Sequence, residues 1–427
     1  MNLLHVSAGY PPFLGGAETY AQVISERLVA TGHLVTFVAS NAAEVEYYWN
    51  PRKRYVSPGQ ETLNGVRVIR CRISHLPFSP WSFYGFRRLA TLLARCPVRT
   101  APLLHLMAPY MPGMPDICST LAGLPGPYDL VHGINIALEW PVLAAWRYAR
   151  RNGVPFVITP FVHVGEHGKQ DVLIHYVMPH QLDVLRDADA VFVQTDIEKA
   201  TLAQLGLSEA RMHRLGMGVD LHRLGSGDAL RFRSRYHLSG EAIVTFLGVV
   251  TRDKGSFDLV RAMERLWARG VKAYLVIAGP VVDEFRRFYA TLSPSTRARI
   301  VLTGPVQGQD KWDLLTATTV LALPSRIDSF GIVYLEAWAY GKPVVGARAG
   351  GVPDVIEDGM DGRLVRFGDV DNLAAVLSEL LADPLRAQAM GERGRTKVEA
   401  WYTWEHVYAR LMTVYERLVK PESRRGG

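Results

Sequence analysis

Short apolar runs alternate with segments of helical spacing along most of the chain. Leu3 to Ser7 is a largely apolar strand, a Gly-Pro loop follows, and Ala17 to Ala30 sets Tyr20, Val23, Ile24 and Leu28 on one helical face. Gly32 stops that helix, and Leu34 to Ala39 opens the next strand. Further strands are predicted at 66–71, 130–132, 156–159 and 190–193. A second series begins beyond Gly218-Val219-Asp220 and the polar stretch Gly225 to Asp228. Its strands are predicted at 243–247, 273–278, 300–303, 320–323 and 344–347, with a helix near Phe257 to Arg269. Runs apolar on both faces and alternating with helices describe parallel sheets covered on both sides. The pattern predicts an α/β chain of two doubly wound, Rossmann-like domains, residues 1–219 and 220–399. One last helical stretch, Val398 to Val419, includes Trp401, Trp404, Tyr408 and Tyr415. The segment 400–427 is expected to pack back onto the first domain.

Composition narrows the picture. The 427 residues are 48% hydrophobic and 21% charged, with a net charge of +7. A mostly disordered chain is excluded, and an anionic partner is suggested. Cys71, Cys96 and Cys118 form no CxxC pair, so neither a disulfide framework nor a zinc ribbon is expected. The opening MNLLHVSAGYPP has no basic, apolar leader, and no run of 18 apolar residues occurs. A cytoplasmic protein is expected.

Doubly wound sheets bind ligands beyond the carboxyl ends of their strands, and two such sheets facing each other would leave a cleft. The most informative stretch there is Leu321 to Gly351, which reads as strand, loop, helix, turn, strand. The N–H groups of Gly331, Ile332 and Val333 would stand free at the helix start and could hold a phosphate. Glu336, one turn inside, leans back toward the same end, where it could accept from ribose hydroxyls. Asp328 could reach another hydroxyl. Equally, Asp328 could cap the helix and Glu336 sit on a solvated face.

Asp328-Ser329-Phe330-Gly331 through Glu336, followed by Gly341-Lys342-Pro343-Val344-Val345, resembles the E-x7-E signature of retaining family 4 glycosyltransferases of GT-B fold. The likeness runs on through Gly15-Gly16-Ala17-Glu18, Asp129-Leu130-Val131-His132, Gln194-Thr195, Gly218-Val219-Asp220, Lys254-Gly255 and Gly350-Gly351-Val352-Pro353. It implies sugar transfer from a nucleotide sugar, UDP- or GDP-linked, with no metal and no further cofactor. Glu336 would hold the ribose, and backbone from Phe330 to Val333 would meet the sugar and diphosphate. Lys254 would neutralise the diphosphate as it leaves. Gly16 would admit the phosphate, where a Cβ would obstruct it. Val306 would touch the base through its backbone. Asp328 would act on the donor sugar, as an aspartate where the family has glutamate. Where the family often has arginine after the glycine matching Gly248, this chain has Val249, and Arg252 is the candidate substitute. His132 and His163, each at a strand end, are candidates to touch the sugar or take the acceptor proton. Either could instead be a structural hydrogen-bonder.

Residues 51–110 hold ten basic side chains against Glu61 alone. Around Trp81 and Phe83, rings interleave with Arg87, Arg88, Arg95 and Arg99, which resembles an interfacial helix for an anionic membrane surface. Alternatively the arginines are solvated or paired elsewhere. The expected acceptor is lipid-linked or a saccharide, and the expected seat is peripheral, on the inner face of the cell membrane. No nucleic-acid motif accompanies the charge, and no G-x-G-x-x-G follows the first strand, which argues against a dinucleotide oxidoreductase. A non-catalytic nucleotide-sugar sensor or scaffold, motivated by Val249 and Asp328, and a sugar-nucleotide epimerase of the same fold are the competing readings.

Overall fold

Strands β1 (Asn2–Ser7), β2 (Leu34–Ser40), β3 (Gly59–Leu63), β4 (Val66–Cys71), β5 (Leu130–Ile134), β6 (Phe156–Thr159), β7 (Ala190–Val193) and β8 (Met212–Arg214) form one sheet. Its order is β3-β4-β2-β1-β5-β6-β7-β8. Only β3 runs antiparallel, paired with β4 through a tight turn at Asn64-Gly65, both at positive φ. Strands β9 (Ala242–Leu247), β10 (Ala273–Ala278), β11 (Ile300–Gly304), β12 (Val320–Leu323), β13 (Val344–Ala347) and β14 (Gly362–Val365) form a second, all-parallel sheet in the order β11-β10-β9-β12-β13-β14. The structure is a computed structural model that describes residues 1–13, 15–166 and 171–420.

Each sheet has its reversal of winding beside its own first strand. In the first, the chain winds outward from β1 through β2 to β4, then restarts at β5 on the other side of β1. In the second it winds from β9 to β11 and restarts at β12 beside β9. At such a point neighbouring strands send their loops apart and leave room at their carboxyl ends. The loops so placed are 8–13 with 15 after β1, 248–255 after β9 and 324–331 after β12.

The described residues pack as two compact units: 1–163, 171–215 and 408–420 in the first, and 164–166 with 216–407 in the second. The predicted stretch 398–419 is two helices, not one. Pro384–Trp401 and Trp404–Val419 are broken at Tyr402-Thr403, where Val219 N–H donates to the Tyr402 carbonyl and Trp404 N–H to that of Val219. The later helix enters the core of the first unit. Tyr415 is fully buried there, its hydroxyl 2.6 Å from His132 Nδ1 and 3.3 Å from His5 Nε2. Residues 421–427 of the expected terminal helix lie outside the described residues. Among the described residues no helix is long and apolar enough to cross a membrane.

Candidate active site

In the second unit, the loops after β9 and β12 are bound to each other. Arg326 N–H donates to the Asp253 carbonyl, and its Nε sits 2.9 Å from Asp253 Oδ1. Lys254 Nζ lies 2.6 Å from Asp328 Oδ1, both side chains being largely covered. Gly350-Gly351, after β13, closes on the same place: Gly351 N–H donates to the Asp328 carbonyl, and a Cβ on Gly350 would stand 2.1 Å from that oxygen. Glycine is required at 350 by this approach and by its positive φ.

The helix Ile332–Ala339 starts at Gly331, which holds φ +86 and lies against Tyr334. No side chain caps this end, so its N–H groups face outward from a positive helix terminus, the arrangement that binds anions. Asp328 is therefore not the cap. Phe330 is buried against Tyr402, 5.5 Å between ring centroids, and Ile332 and Val333 follow in the first turn. Tyr334 donates to the Leu323 carbonyl at 2.6 Å; burial and the charge of Asp328 raise its pKa well above 10, so it stays a donor. Glu336 comes one turn in. Its Oε1 is 2.6 Å from Lys311 Nζ, and its Oε2 is buried with no hydrogen-bond partner. Val306 is half-buried in the connection between β11 and the helix Gly308–Ala317 that bears Lys311.

Arg252 is exposed but already engaged. It pairs with Glu284 at 2.9 Å and stacks 4.3 Å from the centre of Phe257, while Val249 is exposed. Lys254 is thus the cation that meets the signature loop, and Lys311 is a second one that the sequence reading did not single out.

In the first unit Gly16 opens the helix Gly16–Ala30. A Cβ there would meet nothing within 4 Å, whereas one on Gly15 would strike Glu18. Arg70, buried, holds the loop from behind through the carbonyls of Tyr10 and Pro11. His132 is fully buried at β5, with Nδ1 on Tyr415 and Nε2 2.8 Å from Thr159 Oγ1, and desolvation holds its pKa well below 6.5. Both nitrogens are engaged inside the core, so His132 meets protein and not solvent. His163 stacks on Tyr176 at 4.9 Å between centroids.

The basic segment divides by face. On the helix Trp81–Ala94, positions 81, 84, 88, 89 and 92 point outward: Trp81, Tyr84, Arg88, Leu89 and Leu92. Arg95, Val98, Arg99, Leu103 and Leu106 continue this exposed surface. No carboxylate pairs with Arg88, Arg95 or Arg99 among the described residues. Arg87 and Phe83 depart from the expected surface and turn inward. Phe83 is buried against Trp49, and Arg87 NH1 grips Glu139 at 2.7 and 2.8 Å while NH2 reaches the Ala137 carbonyl at 3.0 Å.

Switch-point loops of this kind in two doubly wound units, one presenting an open glycine and the other a lysine and two carboxylates around a bare helix start, are the construction of a GT-B glycosyltransferase. The chain belongs to the glycosyl transferases group 1: residues 231–397 match that family's model, and residues 15–218 match that of the glycosyl transferase 4-like domain. It is 27% identical over 424 residues to a GDP-mannose-dependent alpha-(1-6)-phosphatidylinositol monomannoside mannosyltransferase of Mycolicibacterium smegmatis, covering 96% of this chain and 97% of the relative. It is 31% identical over 328 residues to a D-inositol 3-phosphate glycosyltransferase of Mycolicibacterium paratuberculosis, covering 71% and 72%. Among solved structures, sucrose-phosphate synthase from Thermosynechococcus elongatus superposes with a TM-score of 0.72 at 22% identity, covering 98% of each chain. Anabaena HepE in complex with UDP and glucose gives 0.68 at 16%, covering 98% of this chain and 100% of that one. The expected family and fold are both borne out.

Proposed function

We infer that the protein transfers a sugar from a GDP- or UDP-sugar to a lipid-linked acceptor, with retention at the anomeric carbon, in glycolipid or cell-surface glycan synthesis. The observation that carries this is the pairing of Lys254 with Asp328 at an uncapped helix start, one turn from Glu336, whose Oε2 is buried with no hydrogen-bond partner. The diphosphate takes the Gly331 to Val333 N–H groups, Lys254 neutralises it as the sugar–oxygen bond breaks, and Asp328 turns to a sugar hydroxyl. The acceptor hydroxyl attacks the face that the phosphate leaves, and its proton passes to the departing phosphate oxygen. Charge stabilisation and positioning supply the rate. His132 serves the fold in this scheme, and no step is assigned to His163.

For the acceptor, the support is the exposed stripe of the first unit. Trp81 is 79% exposed and Leu106 73%, set among arginines that have no carboxylate partner among the described residues, a combination suited to an anionic lipid surface. The inositol-lipid substrate in the name of the mycobacterial relative agrees with this.

The test is incubation of the purified protein with GDP- and UDP-sugars and phosphatidylinositol-type lipids. Nucleotide release that depends on acceptor supports transfer. Binding without turnover supports a sensor instead, a reading favoured by Val249 and by the engagement of Arg252 with Glu284.

A further inference from the structure

A cavity of about 490 Å³ opens in the first unit between the helices Ile117–Ala122 and Glu139–Asn152. The turn Gly126 to Tyr128 ahead of β5 and Val154 ahead of β6 complete its wall, so it lies at the amino ends of those strands. The catalytic loops of a doubly wound sheet stand at the opposite, carboxyl ends. Its volume is that of a small-molecule site. Part of the lining is apolar and buried, with Leu121, Ala144 and Val154. The charged part is wholly cationic: Arg147 and Arg151 line the cavity, and no acid does among the described residues. The two stand four residues apart on one helix, a spacing at which like charges repel. Arg150 between them takes Asp187 at 2.5 Å and Asp189 at 3.0 Å, which leaves its two neighbours without a carboxylate among the described residues. Arg151 offsets the exposed carbonyls of the helix end, but that effect fades within a turn and does not account for Arg147. Arg147 lies 5.4 Å from the centre of Trp140, a contact that holds the guanidinium and leaves its charge unneutralised. Tyr128 also lines the cavity; it is 3% exposed, and its hydroxyl is buried with no hydrogen-bond partner among the described residues. A buried hydroxyl without a partner is costly unless a ligand supplies one.

We propose that this cavity binds an amphipathic anion, a phosphate or carboxylate carried on an alkyl body, at a second site apart from the catalytic loops. The guanidiniums of Arg147 and Arg151 hold the head through charge-assisted N–H donors. Tyr128 donates its hydroxyl proton to the same head. The alkyl body covers Leu121, Ala144 and Val154 and leaves water as it does so. Cys118 is exposed and lines the same cavity, so its thiol reports whether the site is filled.

The experiment is alkylation of Cys118 by iodoacetamide in the full chain carrying Cys96→Ser, followed by mass spectrometry, with octyl phosphate, octanol or inorganic phosphate present. Cys71 is buried and its thiol is pushed up to about 11, so Cys118 is the thiol that reacts. Octyl phosphate is expected to slow the reaction about tenfold once its concentration is roughly ten times its Kd, with octanol and inorganic phosphate each far weaker. The double variant Arg147→Gln, Arg151→Gln should raise the half-protecting concentration about ten- to a hundredfold, and Tyr128→Phe about tenfold, as for lost hydrogen bonds to a charged group. Absence of protection by octyl phosphate, equal protection by octanol, or unchanged protection in a double variant that keeps its thermal transition overturns the proposal. Protection by phosphatidylglycerol vesicles but not by octyl phosphate overturns it too, because the ligand is then a membrane lipid. Arg151→Gln alone, at an exposed position, provides the comparison should the double variant not fold. Calorimetric titration of octyl phosphate into the same proteins replaces the alkylation should Cys118 react too slowly, and equal affinities in wild type and variants overturn the site.

Discussion

Lys254 and Asp328 are 74 residues apart in sequence and 2.6 Å apart in the structure, one on the loop after β9 and the other on the loop after β12. The pair joins the two strands at which the second sheet reverses its winding. Each charge is held by a partner that a diphosphate or a sugar hydroxyl would replace. Lys254→Ala and Glu336→Ala are each expected to cut transfer about 100- to 1000-fold, the range for losing a preorganised charge at a site of developing charge. Steady-state nucleotide release measures this, and near-wild-type rates in both variants would overturn the site.

Asp328→Asn separates the two charges. With its competitor gone, Lys254 should hold a nucleoside diphosphate at least as tightly as in the wild type. Turnover should nevertheless fall about tenfold or more, because the amide cannot accept from the sugar hydroxyl as a carboxylate does. Calorimetry and turnover on the same preparation check both arms. Weaker diphosphate binding in this variant would count against the exchange of partners.

The basic helix makes opposite predictions for adjacent arginines. Replacing Arg88, Arg95 and Arg99 together by glutamate should abolish co-sedimentation with anionic vesicles at low salt and leave the melting temperature nearly unchanged. Arg87→Ala should act on the fold instead, because the fully buried Glu139 loses its main counter-charge. A destabilisation of about 3–5 kcal/mol is expected for a buried charge left unpaired, read from urea unfolding. If the wild type itself fails to co-sediment, the membrane proposal is wrong.

Acid stability should reflect two opposed pairs of buried groups. Burial lowers His5 from 6.5 to about 3 and pushes His132 down as well. The unfolded chain therefore takes up protons there first, and stability falls as pH drops below 6.5. Burial raises Glu18 and Glu198 from 4.5 to about 7, so the folded chain holds protons that the unfolded one releases. Between 7 and 4.5 those two carboxyls make the fold more stable as pH drops. Those four slopes largely offset one another from 6.5 to 4.5, but burial also lowers His33, His105, His175 and His213, which adds a loss of stability there. Below 4.5 the lowered carboxyls of Glu139, Asp187 and Asp313 add to that loss. Thermal melts of the wild type should fall gently across the first interval and more steeply beneath it, and a His5→Gln, His132→Gln double variant should lose less stability than the wild type between 6.5 and 4.5.

Tyr415→Phe removes one hydroxyl that serves both His132 and His5 inside the first unit. A loss of about 1–3 kcal/mol is expected for buried partners left unmatched, seen as earlier unfolding in urea.

The strands that alternate with helices were plain in the sequence because burial on both faces writes a continuous apolar run. Phe156–Thr159, Ala190–Val193 and Val344–Ala347 fall where that pattern puts them. Strand β3 left no such mark: Gly59–Leu63 is a polar edge strand. Its hairpin signal, Asn64-Gly65, was in the sequence, but the runs beside it do not alternate. The Leu321 to Gly351 stretch was legible as strand, loop, helix, turn and strand, since glycine and proline punctuate it locally. The partners of its carboxylates were not, because Lys254 arrives from the loop after β9 and Lys311 from the helix Gly308–Ala317. The face of Arg87 was equally hidden: one step of helix separates it from Arg88, and only the distant Glu139 decides which of the two turns inward.

The chain begins in the first unit, builds the whole second sheet, and then returns to seat Tyr415 among β1 and β5. The order of synthesis is therefore the reverse of the order of completion. All described strands of the second unit are made by Val365, while the first must wait on the ribosome with His5 and His132 lacking their shared hydroxyl until the helix Trp404–Val419 emerges. Losing that helix would injure the unit that was made earliest.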